Sequence, residues 1–213
     1  MYKKYTKYKH KYLSLKRQLA RNIPYYFVHA TSIENLKQIL ETGIIYPGKY
    51  LTEDQLRLSG ESKSEYVYCH MYFDDLKNLP HSFGISLILH PNIACDNGFV
   101  FNKGWRVSPD DDSIVVTKND ANYADKITEI RQFIKNPDSL PEKVRQISFM
   151  DHEVLFDHPI MLTSDNVLGI MGLFDSIDLD SVREIVNRKH YNTRLYDNNY
   201  PFPVFDVHPQ CYQ

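Results

Sequence analysis

The stretch from Tyr25 to Gly43 leaves the chain the fewest choices. A short apolar run, Tyr25-Tyr26-Phe27-Val28, is followed by His29-Ala30-Thr31-Ser32, and Ile33 to Thr42 then leads to Gly43. The run has the composition of a buried strand. Ile33, Leu36, Ile39 and Leu40 recur at intervals of three and four, which puts them on one buried helix face. Ser32 is placed to cap that helix, because its hydroxyl can accept from the first unpaired amides, and Gly43 suits a left-handed C-terminal turn. The sequence therefore predicts a strand that delivers His29 and Thr31 to the mouth of a helix. Such a place suits an anionic or hydroxyl-rich ligand.

Beyond Gly43 short strand patterns alternate with few helices. Strands are expected at 66–73, 84–89, 98–101, 113–117, 153–156, 159–163 and 166–171, and helices at 122–135 and 179–189. Polar residues up to Ser64 suggest a short helix and a loop, and the residues after 189 read as an irregular tail rich in Tyr and Pro. In the 66–73 strand Tyr66, Tyr68 and Tyr72 share one face, with Val67, Cys69 and Met71 on the other. Mixed strands with few helices argue an α+β domain. Asn22-Ile23-Pro24 breaks the pattern ahead of it, so residues 1–22 are expected to be a separate helix and 23–213 a single domain.

Composition narrows the class. With 213 residues, 42% of them hydrophobic and 13% aromatic, the chain can bury a core. No run approaches the roughly 18 apolar residues of a membrane span, and the first residues lack the apolar centre of a signal peptide. Cys69, Cys95 and Cys211 are odd in number and far apart, which argues against a disulfide framework and a zinc site and suggests a reducing, intracellular compartment.

The net charge of −2 conceals a division. Residues 1–21 hold eight basic residues and no acid, whereas the remaining 17 basic and 27 acidic residues leave −10 on the body. Tyr2, Tyr5, Tyr8, Tyr12, Leu15 and Leu19 form a stripe at helical spacing within that head. A basic amphipathic helix of this kind can dock on the acidic body, oligomerise through its tyrosines, bind nucleic-acid phosphates or lie on an anionic membrane.

Several motifs are set aside on their chemistry. Gly43 to Lys49 has the spacing of a phosphate-binding loop, but Tyr50 stands where a magnesium-binding hydroxyl is needed and the segment follows a helix. His152, Glu153 and His158 do not have the spacing of a zinc-binding helix, and Pro159 excludes that helix, so no metal is expected. No nucleophile elbow is present, which disfavours acyl-transfer hydrolysis.

His29-Ala30-Thr31, followed by Asn35-Leu36-Lys37-Gln38-Ile39-Leu40-Glu41-Thr42-Gly43, resembles the opening motif of the ADP-ribosyltransferase superfamily, with Ala30 where Gly is common. Glu65 to Phe73 is similar to its aromatic strand, and Asp151 to Ile160 to its glutamate-bearing strand. Together with Asn166 to Ile170 these segments look somewhat like the DNA-targeting DarT branch. The resemblance implies a mixed, mainly antiparallel split sheet and NAD as substrate. It implies that His29 and Thr31 hold a ribose, that the Ala30 backbone meets the nicotinamide amide, and that Tyr68 or Tyr66 clamps nicotinamide. Glu153 would be the catalytic carboxylate. Asp151, two residues earlier on the strand, would share its side and bear on the choice of acceptor. Arg57 and Arg106 are candidates for the pyrophosphate on charge alone. The implied activity is NAD-dependent transfer of ADP-ribose to a protein or nucleic acid; the alternative is a catalytically silent module of the same fold that engages a host factor or nucleic acid. A 2′-phosphotransferase-like RNA repair activity lacks its arginine- and histidine-rich set here. The Tyr/Lys-rich head resembles those of proteins from large DNA viruses, which would place the chain in host cytoplasm or a virion.

Overall fold

A computed structural model describes residues 24–59, 65–73, 85–103, 109–135, 152–172, 174–197, 205, 207 and 209–212. The head at 1–22, Asp151 and Arg106 lie outside the described residues, as does the side chain of Arg57. In chain order the elements are β1 (Tyr25–Thr31), α1 (Ile33–Thr42), β2 (Ile44–Ile45), α2 (Glu53–Ser59), β3 (Val67–Phe73), β4 (Ile85–Leu89), β5 (Phe99–Asn102), β6 (Ile114–Val116), α3 (Tyr123–Lys135), β7 (Glu153–Phe156), β8 (Ile160–Met161), β9 (Val167–Gly172), α4 (Ser176–Arg188) and β10 (Arg194–Asp197). An eight-stranded sheet runs in the order β10-β9-β4-β1-β3-β7-β5-β6, and β2 pairs with β8. Its pairs are antiparallel except β9 with β10, so this is an α+β fold with a mixed, mostly antiparallel sheet.

The strand-to-helix junction forms for the reasons its residues supply. Ser32 Oγ accepts from the Asn35 amide at 3.2 Å, and Gly43, at φ 71°, sends its N–H to the Ile39 carbonyl. Leu36 and Leu40 are fully buried. Helix α4 begins at Ser176, a turn earlier than its apolar spacing suggests, because the Asp175 side chain accepts from the Asp178 amide at 2.7 Å. One cation from each of α1 and α4 ties the two helices together: Lys37 reaches Asp178 at 2.8 Å, and Arg188 pairs with Glu41.

Alternation sorts the side chains. Tyr25, Phe27, Cys69, Met71, Phe101, Val154 and Phe156 lie in the main core with residues of α1, α3 and α4. On the opposite face Tyr26, Val28, Tyr72, Ile88 and Met171 form a smaller cluster with Tyr196, Phe205 and Val207. Tyr25 and Tyr123 share a buried hydroxyl contact of 2.9 Å that joins β1 to α3. At Gly98, φ 77°, a Cβ would stand 2.0 Å from the Val116 carbonyl oxygen, so the turn into β5 needs glycine.

The tail departs from the sequence reading in two ways. Arg194–Asp197 is a strand, parallel to β9 in the register Arg194↔Gly169 to Asp197↔Gly172. Gly169 leaves room there for the Tyr196 ring, whose carbon would lie 2.7 Å from an added Cβ. Cys95 and Cys211 are also joined as a disulfide across a separation of 116 residues, which corrects the expectation drawn from the odd cysteine count. The leftover cysteine is Cys69, buried in the core. Nothing in the spacing of Cys95 and Cys211 announces the pair; the fold brings them together by returning the tail to the Pro91–Ala94 turn, where the Gln210 amide donates to Asn92 Oδ1 at 2.8 Å.

Candidate active site at the partner switch of strand β3

Strand β3 changes partners midway. Val67, Tyr68 and Cys69 pair with Phe156, Leu155 and Val154 of β7, whereas His70 to Phe73 pair with Val28 to Tyr25 of β1. Past Val28 the described ladder of β1 continues only with β4, from His29↔Leu87 to Thr31↔Ile85. The end of β1 and the start of β3 therefore diverge at the point where His29, Ala30 and Thr31 sit. Backbone groups at such a divergence need partners other than the ladder.

His29 supplies one. It is 6% exposed, and its Nδ1 lies 2.8 Å from the Tyr68 carbonyl oxygen. A carbonyl only accepts, so Nδ1 carries the proton and Nε2 the lone pair. Ala30, Thr31, Tyr66 and Tyr68 are half-buried.

Glu153 opens β7 and is 5% exposed, opposite Asn102 of β5. Asn102 is itself buried, and its Oδ1 accepts from Ser113 Oγ at 2.7 Å. Because Val154 and Phe156 face the main core, Glu153 and Leu155 face the other way, as do Tyr68, His70 and Tyr72 on β3. By the same alternation His29 follows Phe27 toward the helix-covered face. The structure thus brings Glu153 and Tyr68 onto one face, while His29, facing the other, is tied to Tyr68 through its backbone carbonyl at the divergence.

Two histidines that the sequence reading did not place in a site lie where β7 begins. His70 Nδ1 donates to the His152 carbonyl at 2.9 Å. The His152 ring fills the space where β7 leaves β3: its Nε2 is 3.1 Å from the carbonyl oxygen and 3.3 Å from the amide nitrogen of Met71, and it stacks on Phe101 at 5.4 Å. Burial, and secondarily the charge of His70, depress the pKa of His152 to about 3, which keeps the ring neutral. Burial likewise pushes the Cys69 thiol and the Tyr72 phenol well above their usual ranges. A strand period with a histidine in it was the available sequence signal for His70; what it lacked was the register that sets it where β7 begins. Among the described residues no three His, Cys, Asp or Glu side chains come together as a metal site, and His158 is held by its neighbour Asp157 at 2.9 Å.

Residues 23–137 match the model of a family of unknown function, DUF5846. Over 220 residues the chain is 43% identical to the uncharacterized protein R11 of Acanthamoeba polyphaga mimivirus, covering 94% of this chain and 81% of that protein. The chain belongs to the DUF5846 family. The fold of this DUF5846 protein is similar to that of DarT from Thermus sp. 2.9. The structure of that DarT in complex with NAD+ superposes with a TM-score of 0.50 at 12% identity, covering 81% of this chain and 94% of the DarT chain. Its structure in complex with ADP-ribosylated single-stranded DNA gives 0.50 at 12% identity, over 88% and 96% of the two chains. At that identity the likeness is one of fold. No helix among the described residues is long and apolar enough to cross a membrane.

Proposed function

We propose that this protein binds NAD at the β1–β3 divergence and transfers ADP-ribose to a macromolecular acceptor. The observation that supports the reading is the β3–β7 register, which sets Tyr68 on the face of Glu153, next to the His29–Tyr68 hydrogen bond at the end of β1, in a fold like that of a DarT solved in complex with NAD+. The donor set fits the substrate. His29 Nε2, with its lone pair fixed by the proton on Nδ1, accepts from a ribose hydroxyl, and Thr31 lies two residues on along the strand. Tyr68 or Tyr66 offers a ring to nicotinamide, and the Ala30 backbone its amide contact. Cleaving the nicotinamide–ribose bond builds positive charge on the sugar, and a buried carboxylate such as Glu153 stabilises that charge more strongly than one in water. Arg57 and Arg106 remain the candidates for the pyrophosphate, and Asp151 for the acceptor side. The acceptor class we favour is single-stranded DNA, which stands ADP-ribosylated in the complex with the similar DarT.

The test is release of free nicotinamide from NAD by the full-length protein, alone and with a mixed-sequence single-stranded oligonucleotide, with the oligonucleotide mass recorded. Release with a mass gain of one ADP-ribose supports the reading. NAD binding in calorimetry with no release would instead favour a catalytically silent module, and neither binding nor release would end the proposal.

A further inference from the structure

The two faces of the sheet are covered by different parts of the chain. Residues of α1, α3 and α4 pack into the main core, whereas Phe205 and Val207 of the tail pack on the smaller cluster around Tyr26, Tyr72 and Ile88 on the other face. Phe205 meets the Tyr26 ring edge-on at 5.5 Å and lies 6.3 Å from the ring of Tyr196. Tyr26 and Tyr72, stacked with their rings 5.9 Å apart, are 3% and 7% exposed, so little of this aromatic surface reaches solvent. The tail enters from β10, which ends at Asp197, and is tied at its far end, where Cys211 is bonded to Cys95 and the Gln210 amide donates to Asn92 Oδ1 at 2.8 Å. It is thus a strap held at both ends, and one of its two ties is a bond that thiols can break. Cys95 and Cys211 are each partly exposed, within reach of a small thiol, whereas Cys69 is buried in the core and out of reach of exchange.

We propose that the tail is a redox-controlled strap: the Cys95–Cys211 bond holds Phe205 and Val207 down on the second sheet face, and its reduction by a small thiol lets the tail go and uncovers that face while the sheet stays folded. The inference stands apart from the NAD reading. In the step, the thiolate of a reductant of the glutathione class attacks one sulfur of the pair, forming a mixed disulfide and releasing the other cysteine as a thiolate. A second reductant thiolate attacks the reductant sulfur of that mixed disulfide and frees the remaining cysteine. Two electrons and two protons pass to the pair, and two reductant thiols leave as one disulfide. Once the bond is cut, the far end of the strap keeps the Gln210 amide bond, for which water competes because Gln210 is exposed. The last residues of a chain stay ordered only where something ties them down. While the bond stands, the packing of Phe205 on Tyr26 is closed at both ends and profits from a high effective concentration; without it that packing must hold the tail by itself. The main core lies on the other face of the sheet and does not depend on Phe205 or Val207. The two states then follow the surroundings, closed where disulfides persist and open where thiols are kept reduced.

The experiment uses the full chain, oxidised and after treatment with reduced glutathione, at a temperature well below melting, with free thiols titrated in each sample. Amide hydrogen exchange is followed at Val207 and Gln210 in the tail and along β1 and β4 in the sheet, together with the fluorescence of a dye that binds exposed apolar surface. Reduction should speed exchange of the tail amides about 100-fold, the low end of what a link contributes through effective concentration, and raise dye binding, with the amides of β1 and β4 as protected as before. The Cys95→Ser, Cys211→Ser double variant should behave as the reduced protein with or without glutathione. Tail amides that keep their protection after both thiols are free overturn the proposal, as does a bond that glutathione leaves intact. Loss of protection in β1 and β4 along with the tail overturns it in favour of a staple for the whole fold. Faster tail exchange with no dye bound overturns it as well, because the face is then covered by something other than the strap.

Discussion

His29 donates from Nδ1 to the carbonyl of Tyr68 at 2.8 Å, across the gap that opens once the β1–β3 ladder has ended at Val28↔His70. A side chain here replaces the backbone pairing that the diverging strands have given up. The same bond sets the tautomer, and through it the ability of Nε2 to accept a hydroxyl.

His29→Ala should therefore act on both structure and ligand. Loss of one largely buried hydrogen bond is expected to cost about 0.5–1.5 kcal/mol of stability, measured by urea denaturation. NAD affinity should fall about tenfold, the equivalent of one hydrogen bond, measured by calorimetry. An unchanged dissociation constant would remove His29 from the binding set.

Glu153→Gln should separate binding from chemistry. The amide is nearly the shape of the carboxylate and can stay beside Asn102, so NAD binding should hold within a few-fold. Nicotinamide release should drop about 100-fold or more, because one preorganised electrostatic group is worth about 3–4 kcal/mol in a transition state. Turnover at the wild-type rate would dismiss Glu153 as the catalytic carboxylate.

Much of this was legible in the chain. The helix capped by Ser32 and stopped by Gly43 came from local chemistry, and local chemistry is what a sequence states directly. Strands such as Val67–Phe73 and Glu153–Phe156 followed from composition and alternation for the same reason. What stayed hidden depends on partners distant in sequence. Arg194–Asp197 is a strand because Gly169 of β9 admits the Tyr196 ring. Cys95 meets Cys211 only when the tail has returned to the Pro91–Ala94 turn. His70 acquires its place at the start of β7 from the β3–β7 register, and no periodicity along β3 alone contains that information.

The tail disulfide should be a measurable staple. Joining residues 116 apart restricts the unfolded chain, and bonds closing long loops typically contribute about 2–4 kcal/mol. The melting temperature should fall on adding a thiol reductant, and the Cys95→Ser, Cys211→Ser double variant should melt at the reduced value whether or not reductant is present. An identical melting temperature with and without reductant in the wild type would show that the pair contributes nothing.

His152 should make stability depend on pH in a defined direction. Its pKa is depressed by burial to about 3 in the folded protein, against about 6.5 in an unfolded chain. Between those values the unfolded chain binds the proton and the folded one does not, so acid favours unfolding. Stability is full above about pH 6.5 and declines toward about pH 3, with a slope of up to about 1.4 kcal/mol per pH unit from this one group. His152→Gln cannot be protonated and should lose that share of the slope, seen in urea midpoints taken at steps of pH. Parallel slopes for the two proteins would mean that His152 charges within the fold.

The basic head supplies the last test. Its eight positive charges at residues 1–21 precede every residue placed at the divergence, beside a body of −10. Removing residues 1–21 should thus leave a folded protein whose NAD affinity is unchanged. If the head recruits nucleic acid, the full chain should bind a single-stranded oligonucleotide with an affinity that falls steeply with salt, by a logarithmic slope of about 0.7 for each phosphate neutralised, and the truncated chain should show little of that slope. Equal binding by both chains would place the nucleic-acid contact on the body. No binding by either at low salt would leave self-docking or oligomerisation as the work of the tyrosine stripe, and loss of solubility on truncation would point there as well, because it would uncover an apolar surface.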